Sequence, residues 1–228
     1  MGAARITRRR FLAGGVGALL AGLRPVSGLA SGPKRLDVIC RKSWRAAPPR
    51  DGLRRHRIRR LTVHHSAVVL SANRDAPARF RAHQQAHFGN GWPDLAYHLL
   101  IDRHGNVYRG RNPRFRGDTA TDYDPTGHLL VLCEGDFDRQ SLSGRQVTAL
   151  VDVLAWACER YGVKPGTIRG HRDWASTSCP GRRLQARIES RRIRDRVRTR
   201  LRQGGVELRG LCGAAGRRRV RRIERGEA

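Results

Sequence analysis

The sequence predicts a single α/β domain over residues 31–203, with a mixed central β-sheet flanked by helices. Two observations carry this prediction. Short apolar, strand-like runs alternate along the chain with longer segments of helical periodicity. The chain is also 39% hydrophobic, which is enough for a core and argues against wholesale disorder. A length of 228 residues suits one such domain with appendages at its ends.

Six short segments are predicted as strands, at 37–40, 61–66, 97–102, 107–108, 129–133 and 168–170. The segments 97–102 and 107–108 are separated by the turn-forming sequence RHGN, which predicts a hairpin. The continuous apolar run LLVLC at 129–133 is typical of a central strand that is buried on both faces.

Helical periodicity identifies three further segments. The first runs over 76–88 and is stopped by Gly89. The second begins at Ser143, which forms a predicted capping box with Gln146, and ends before Gly162. The third, over 186–202, repeats apolar residues among arginines and is predicted as one amphipathic surface helix. Residues 204–228 are strongly basic, and we predict a disordered tail there.

The net charge of the chain is +28, from 47 Lys and Arg against 19 Asp and Glu. Residues 181–228 hold 17 of the arginines but only 5 acidic groups. This excess predicts an anionic partner. We do not expect that partner to be nucleic acid, because aromatic residues make up only 6% of the chain and no nucleic-acid-binding motif is present.

Residues 1–30 have the order of an export signal: a basic start, a 13-residue apolar run at 11–23 and a small-x-small sequence at 28–30. The sequence TRRRFL at 7–12 resembles a twin-arginine signal, which directs folded bacterial proteins across the membrane. We therefore expect an exported protein of the periplasm, cell wall or extracellular space, in contact with the membrane only during export. An exported protein leaves the compartment that holds nucleic acid, so export also argues against nucleic acid as the anionic partner of the basic residues.

The five cysteines are Cys40, Cys133, Cys158, Cys179 and Cys212. An oxidising compartment permits disulfides, and an odd number leaves at least one thiol for other work. Cys40 and Cys212 flank the predicted domain, so a staple between its ends is plausible, although the sequence does not fix the pairing. Cys133 and Cys158 lie in apolar runs, where a small buried hydrophobic residue is the simpler interpretation.

Three residues suggest a metal site: His64 at the end of a predicted strand, His171 after another, and Cys179 eight residues further on. Two imidazoles and one thiolate leave the fourth position of a tetrahedral zinc ion open, which distinguishes catalytic from structural zinc. Each feature alone is weak, since histidine pairs are mostly structural and exported cysteines mostly form disulfides.

Several short motifs, taken together and in order, strengthen the case. They are SW at 43–44, TVHHS at 62–66, GWPDLAYH at 91–98, NVYRGR at 106–111, GHRD at 170–173 and TSCPG at 177–181. With these motifs the chain resembles the zinc-dependent N-acetylmuramoyl-L-alanine amidases of the peptidoglycan recognition protein and phage-lysozyme type. The resemblance covers about residues 37–185 and implies an amidase-like mixed sheet.

The resemblance implies that His64, His171 and Cys179 bind one zinc ion and that the neighbouring His65 does not. It implies that Tyr97 is the catalytic tyrosine, which hydrogen-bonds the attacking water. Thr177 matches the position beside the zinc, where it would donate to the oxyanion. The implied substrate is the amide between N-acetylmuramic acid and L-alanine in peptidoglycan, and anionic wall polymers are further expected partners of a monomeric protein.

The chain departs from its relatives at two places. A related branch has a catalytic Glu on the central strand where this chain has Leu132, so Glu134 is a second-choice base. Many relatives have a His in the preceding loop where Thr119 falls. We expect the loop 109–127 and Trp92 to line the substrate groove. The alternative function is peptidoglycan recognition without cleavage, but such relatives lack the metal-binding cysteine, so Cys179 favours catalysis.

Overall fold

The computed structural model describes residues 1–2 and 32–228 and arranges them around one seven-stranded sheet. The strand order is β6-β2-β5-β3-β4-β1-β7. The strands are β1 (Lys34–Ile39), β2 (Arg60–His65), β3 (Leu99–Ile101), β4 (Val107–Arg109), β5 (His128–Cys133), β6 (Ile168–Gly170) and β7 (Val206–Leu211). All neighbours pair in parallel except β3 and β4, which form the predicted hairpin. The mixed sheet is therefore confirmed.

Helices cover both faces of this sheet, at α1 (Ala76–Gly89), α2 (Gly144–Tyr161), α3 (Arg182–Glu189), α4 (Arg192–Arg202) and α5 (Gly213–Glu224). One core packs α2, α3 and α4 against side chains such as Val63 and Val131. The other packs α1 and α5 against residues such as Leu100 and Leu132. Alternation along β2 and β5 sends neighbouring side chains to opposite cores, and every residue of β5 is buried as predicted.

The start of α2 is as predicted only in part. The Ser143 hydroxyl accepts a hydrogen bond from the Gln146 backbone N–H, as an N-cap does. The Gln146 side chain does not return this bond. It instead donates to the backbone carbonyls of Ile101 and Glu134, and so ties the helix to the carboxyl ends of β3 and β5. Half of the predicted capping box is therefore present.

The prediction of one helix over 186–202 is wrong. The chain forms α3 and α4, and the break falls at Arg191, whose φ of 62° is a left-handed conformation that no helix interior accommodates. The break lets each short helix bury its own apolar side, Leu184 and Ile188 on α3 and Ile193 and Val197 on α4.

The prediction of a disordered tail over 204–228 is also wrong, and the domain extends well beyond residue 203. Strand β7 pairs with β1 over six residues, from Lys34↔Val206 to Ile39↔Leu211. Helix α5 then buries Val220 and Ile223 against the second core. It packs so closely at Gly216 that a Cβ there would overlap the Ser43 side chain. Burial of apolar residues spaced among the arginines offsets the entropy of ordering this segment.

A disulfide joins Cys40, directly after β1, to Cys212, directly after β7, with Cα atoms 5.0 Å apart. This is the disulfide expected between the two ends of the predicted domain. Cys133 and Cys158 are buried free thiols, as the apolar interpretation predicted, and burial raises the pKa of Cys158 to about 12. The predicted export signal lies outside the described residues apart from its first two positions. Within residues 32–228, no helix combines the length and apolar character needed to cross a bilayer.

Removing the disulfide should destabilise the fold strongly, because the bridge spans 172 residues and restricts the unfolded chain. We expect the Cys40→Ala/Cys212→Ala variant to lose about 2–5 kcal/mol of unfolding free energy. Urea denaturation of both proteins under oxidising conditions measures this difference. Wild-type protein reduced with dithiothreitol is the matched control and should unfold near the variant's midpoint. Equal midpoints for oxidised wild type and variant would show that the bridge contributes nothing.

Candidate metal centre and groove

The three predicted metal ligands meet at the carboxyl ends of two neighbouring parallel strands. His64 lies near the end of β2, and His171 directly follows β6, which pairs with β2 through Val63↔Gly170. Cys179 reaches the same place from the loop after His171. One donor atom from each of the three side chains lies within 4.8 Å of the other two. The rings of His64 and His171 are 4.6 Å apart between centroids.

The arrangement of these donor atoms fits a tetrahedral zinc ion. The Cys179 sulfur is 3.6 Å from Nδ1 of His64. Zinc at about 2.0–2.1 Å from nitrogen and about 2.3 Å from sulfur separates two such tetrahedral ligands by about 3.6 Å. Nε2 of His171 is already hydrogen-bonded to the Thr121 hydroxyl, so Nδ1 is the nitrogen left for a metal. Cys179 is a free thiol, and three protein ligands leave one position open.

Burial sets the protonation of the three side chains. It lowers the pKa of His171 to about 4 and that of His64 well below its usual value, so both imidazoles are neutral near pH 7. It raises the pKa of the Cys179 thiol to about 12. The His65 backbone N–H, 3.5 Å from the sulfur, acts in the opposite direction and favours the thiolate. A bound dication supplies the larger charge that a buried thiolate needs.

Tyr97 and Thr177 lie beside the group formed by His64, His171 and Cys179, here called the metal cluster. The ring of Tyr97 is 5.2 Å from that of His64, and burial raises the pKa of its hydroxyl well above the usual value of 10. The hydroxyl is therefore a protonated donor near neutral pH. The Thr177 hydroxyl accepts from the Cys179 backbone N–H at 3.2 Å, which leaves its own proton free to donate.

Thr121 and Tyr123 are site residues that the sequence analysis missed. The Thr121 hydroxyl lies 2.8 Å from Nε2 of His171 and 2.7 Å from the hydroxyl of Thr119. The ring of Tyr123 is 5.1 Å from that of His171, and its buried hydroxyl has no hydrogen-bond partner among the described residues. No local motif marks these two residues, because they are brought to the site by the path of a long loop.

Replacing Thr121 by valine should weaken metal binding, since Thr121 is the group that orients the His171 ring. Loss of such an outer partner typically costs 10–100-fold in metal affinity. We expect a change of about that size in the zinc Kd, measured by competition with a chelating dye. Thr148→Val is the control, because the Thr148 hydroxyl bonds a carbonyl of its own helix and the Arg196 guanidinium, neither of which belongs to the metal cluster. An unchanged Kd in Thr121→Val would contradict the orienting role.

A row of rings leads away from the metal cluster. The ring of His87, on α1, lies 5.7 Å from that of Tyr97 and 4.7 Å from that of Trp92. Trp92 is half-buried. This places the candidate groove residue Trp92 on the outer wall of the site. Within the loop 109–127, Thr121 and Tyr123 reach His171, whereas the side chains of Arg109, Arg111 and Arg114 line a different cavity. That the whole loop lines the substrate groove stays a prediction.

The second-choice base, Glu134, is hydrogen-bonded to a histidine of α1. Its carboxylate is fully buried and 2.9 Å from Nε2 of His83. Leu132, where the related branch has a glutamate, is part of the apolar core and offers no acid.

His65 lies in a separate group with Asp136 and Asp138, and its Nδ1 accepts from the Phe137 backbone N–H. Asp138 in that group also accepts from the Arg182 backbone N–H.

The sequence is similar to a known family and to several known proteins. Residues 54–182 match the family model described as N-acetylmuramoyl-L-alanine amidase. Peptidoglycan-recognition protein SC2 of Drosophila melanogaster is 28% identical over 160 residues, 68% of this chain and 86% of that protein. Peptidoglycan recognition protein 1 of Mus musculus is 29% identical over 158 residues, 67% of this chain and 86% of that protein.

Two solved structures share the fold. Peptidoglycan recognition protein LE, solved in complex with tracheal cytotoxin, a monomeric diaminopimelic-acid-type peptidoglycan, superposes with a TM-score of 0.61 at 26% identity. The match covers 67% of this chain and 92% of that one. The amidase LysC from Clostridium intestinale superposes with a TM-score of 0.53 at 20% identity, covering 69% of this chain and 97% of that one. That likeness concerns the fold alone.

Proposed function

Because the chain belongs to the N-acetylmuramoyl-L-alanine amidase family, we propose that it is a zinc-dependent hydrolase of the amide bond between N-acetylmuramic acid and L-alanine in peptidoglycan. One observation carries the proposal: donor atoms of His64, His171 and Cys179 converge within 4.8 Å with a fourth ligand position open. One of its relatives was solved with a peptidoglycan fragment, which supports the same substrate class here.

The second candidate is recognition of peptidoglycan without cleavage, and the recognition proteins among its relatives keep that candidate in view. Catalysis is favoured by the free Cys179 thiol, which faces His64 instead of pairing with another cysteine. It is also favoured by Tyr97, whose ring adjoins the metal cluster. Binding alone requires neither a thiolate ligand nor a buried hydroxyl at that place.

The residues divide the chemistry between them. When bound, zinc supplies Lewis acidity, which lowers the pKa of water from about 16 toward roughly 7 and polarises a carbonyl. Tyr97 hydrogen-bonds the attacking water, holds it in line with the amide carbon and helps direct its proton to the alanine nitrogen, which leaves as the amine when the C–N bond breaks. Thr177 donates to the oxygen that becomes negative as the carbonyl carbon turns tetrahedral. Trp92 and His87 form a wall that positions the substrate beside these groups.

The proposed place of action is outside the cytoplasm, after export by the twin-arginine route, with the protein acting as a monomer on the cell wall. The Cys40–Cys212 disulfide supports this, because such bridges persist in oxidising compartments. Attraction to anionic wall polymers is part of the proposal. Deleting 204–228 is an unsuitable test of it, since the deletion also removes β7 and the disulfide.

The deciding experiment is mass spectrometry of purified peptidoglycan after incubation with zinc-loaded protein, chelator-treated protein and a His171→Ala variant. We expect free L-alanine amino termini and peptide-free glycan strands with the zinc-loaded protein alone. Sedimentation of each protein with the same peptidoglycan reports binding separately. Binding by zinc-loaded wild type without any new amino termini would establish the recognition function and refute the amidase.

A further inference from the structure

A second concave site lies on the other face of the sheet from His64. It is a cavity of about 790 Å³, here called the arginine cavity, lined by Arg41, Arg57, Arg109, Arg111, Arg114 and Arg160 together with apolar and aromatic side chains. Its volume falls within the usual range for ligand pockets, about 300–1,000 Å³. The residues described as lining it include no aspartate or glutamate.

The arginine cavity opens on the face of the sheet opposite to His64. Its apolar wall includes Leu99, which belongs to the core under α2, whereas His64 points to the other face. Leu99 is in register with Val131 and, through it, with Val63, the residue before His64. The thickness of the sheet therefore separates the cavity from the metal cluster. A ligand in the cavity therefore does not compete with a substrate at the metal cluster.

Two of the six guanidinium groups are neutralised within the protein. Arg41 makes two hydrogen bonds to the Asp94 carboxylate, and Arg111 bonds Asp118. Within residues 32–228, the side chains of the other four have neither a carboxylate nor a hydrogen-bond acceptor as partner. These four, all exposed, are Arg57, Arg109, Arg114 and Arg160. Like charges gathered around one cavity repel each other, so an anion entering it would relieve that repulsion.

The basic C-terminal segment differs in this respect. Arg209 pairs with Asp37, and Arg225 pairs with Glu227. Arg219 donates to the side-chain carbonyl of Asn106. Several arginines of β7 and α5 are thus satisfied locally, within the region 181–228 that holds 17 arginines and only 5 acidic groups. The arginine cavity, by contrast, concentrates unpaired guanidinium groups in a concave site.

The wall of the arginine cavity also carries an aromatic pair. The rings of Trp156 and Tyr161, near the end of α2, are 5.6 Å apart in an edge-to-face arrangement, and Trp156 is half-buried. The Arg160 guanidinium lies 5.9 Å from the centre of the Tyr161 ring. Apolar ring faces beside unpaired guanidinium groups suit a ligand that alternates carbon-rich units with anionic groups.

From these features we infer that the arginine cavity binds a phosphodiester polymer of polyol or sugar units, an inference that rests on the proposed function for the protein's location at the cell wall. Guanidinium groups match phosphate oxygens with two parallel hydrogen bonds. A flexible single chain can enter a concave cavity. Duplex DNA is instead read by convex elements that enter its grooves, and it does not fit this shape. The cavity would hold the enzyme on the wall while the metal cluster works on the amide.

The test is titration calorimetry of zinc-loaded full-length protein with a short glycerol-phosphate oligomer at fixed ionic strength. Arg57→Gln/Arg160→Gln removes two unpaired charges from the cavity. Arg187→Gln/Arg192→Gln removes two from another surface and is the matched control. We expect the Kd to rise at least about tenfold in the cavity variant and less than about twofold in the control. Arg57→Lys/Arg160→Lys, which keeps charge but loses the two-pronged geometry, should lie between them.

Equal weakening in the cavity and control variants would reduce the effect to net charge and overturn the inference. Binding of inorganic phosphate as tight as that of the oligomer would assign the cavity to a free anion instead. Binding of a DNA duplex with the same dependence on Arg57 and Arg160 would also overturn it. Hydrolysis of a soluble muramoyl peptide is followed in the same variants. Its persistence while oligomer binding is lost separates the cavity from the proposed amidase activity.

Discussion

Replacing Cys179 by alanine is expected to abolish zinc binding and peptide release together. Structural zinc sites contribute on the order of 10 kcal/mol of binding free energy, so losing one of three protein ligands costs several kcal/mol. That corresponds to a zinc Kd weaker by about a thousandfold. Metal analysis after dialysis measures the first loss, and the rate of new L-alanine amino termini measures the second. Activity should fall to the level of the chelated wild type.

Cys158→Ala is the matched control for this variant. Its thiol is buried in the other core, on α2, and takes no part in the metal cluster. It should retain one zinc per chain and full activity, at some cost in stability from the small cavity created. Full activity in metal-free Cys179→Ala protein would refute the zinc mechanism. Retained zinc without activity would show that the thiolate has a role beyond holding the metal.

Replacing Tyr97 by phenylalanine is expected to keep zinc bound and to remove most of the rate. The substitution deletes one hydroxyl and leaves the ring packed beside His64. Removing a single hydrogen-bond donor from a transition state typically costs 10²–10³-fold in kcat. We expect a loss of about that size in kcat, with the zinc Kd unchanged. Steady-state hydrolysis of a soluble muramoyl peptide, with parallel metal analysis, gives both values.

Tyr123→Phe distinguishes the two hydroxyls near the metal cluster. The Tyr123 hydroxyl is also buried, and its ring contacts that of His171. If Tyr123→Phe loses the rate and Tyr97→Phe does not, the donor has been assigned to the wrong tyrosine. Unchanged turnover in both variants would direct attention to Glu134, which Glu134→Gln then tests. That outcome would require Glu134 to act despite its contact with His83.

Local signals in the sequence were sufficient for the centre of the fold. The uninterrupted apolar run at 129–133 identified the buried strand β5, and Ser143 identified the start of α2. His64 and His171 were each predicted at the end of a strand, and the parallel pairing of β2 with β6 brings these two strand ends to the same side of the sheet. These features depend on residues close to each other in the chain, or on one simple rule of sheet geometry.

Features that depend on residues distant in the chain were predicted wrongly or not at all. Alternating apolar residues at 206 and 208 were hidden among charges, and β7 becomes a strand by pairing with β1, about 170 residues earlier. Thr121 reaches His171 only through the path of a long loop. The arginine cavity gathers its six arginines from four separate segments of the chain. Contacts of this kind leave little trace in local periodicity.

The pairing of β1 with β7 forms only after all the other strands have been synthesised, because β7 is the last strand in the chain. A chain emerging from the ribosome offers β1 early, but its outer neighbour is synthesised last. Until then Cys40 is without its partner, while Cys133, Cys158 and Cys179 have already been made. An oxidant that met the growing chain would encounter three incorrect partners before the correct one. Oxidation after synthesis and folding finds those three thiols already placed in the fold and only one pair aligned. Translocation of the finished molecule would therefore protect the metal-site thiol from mispairing.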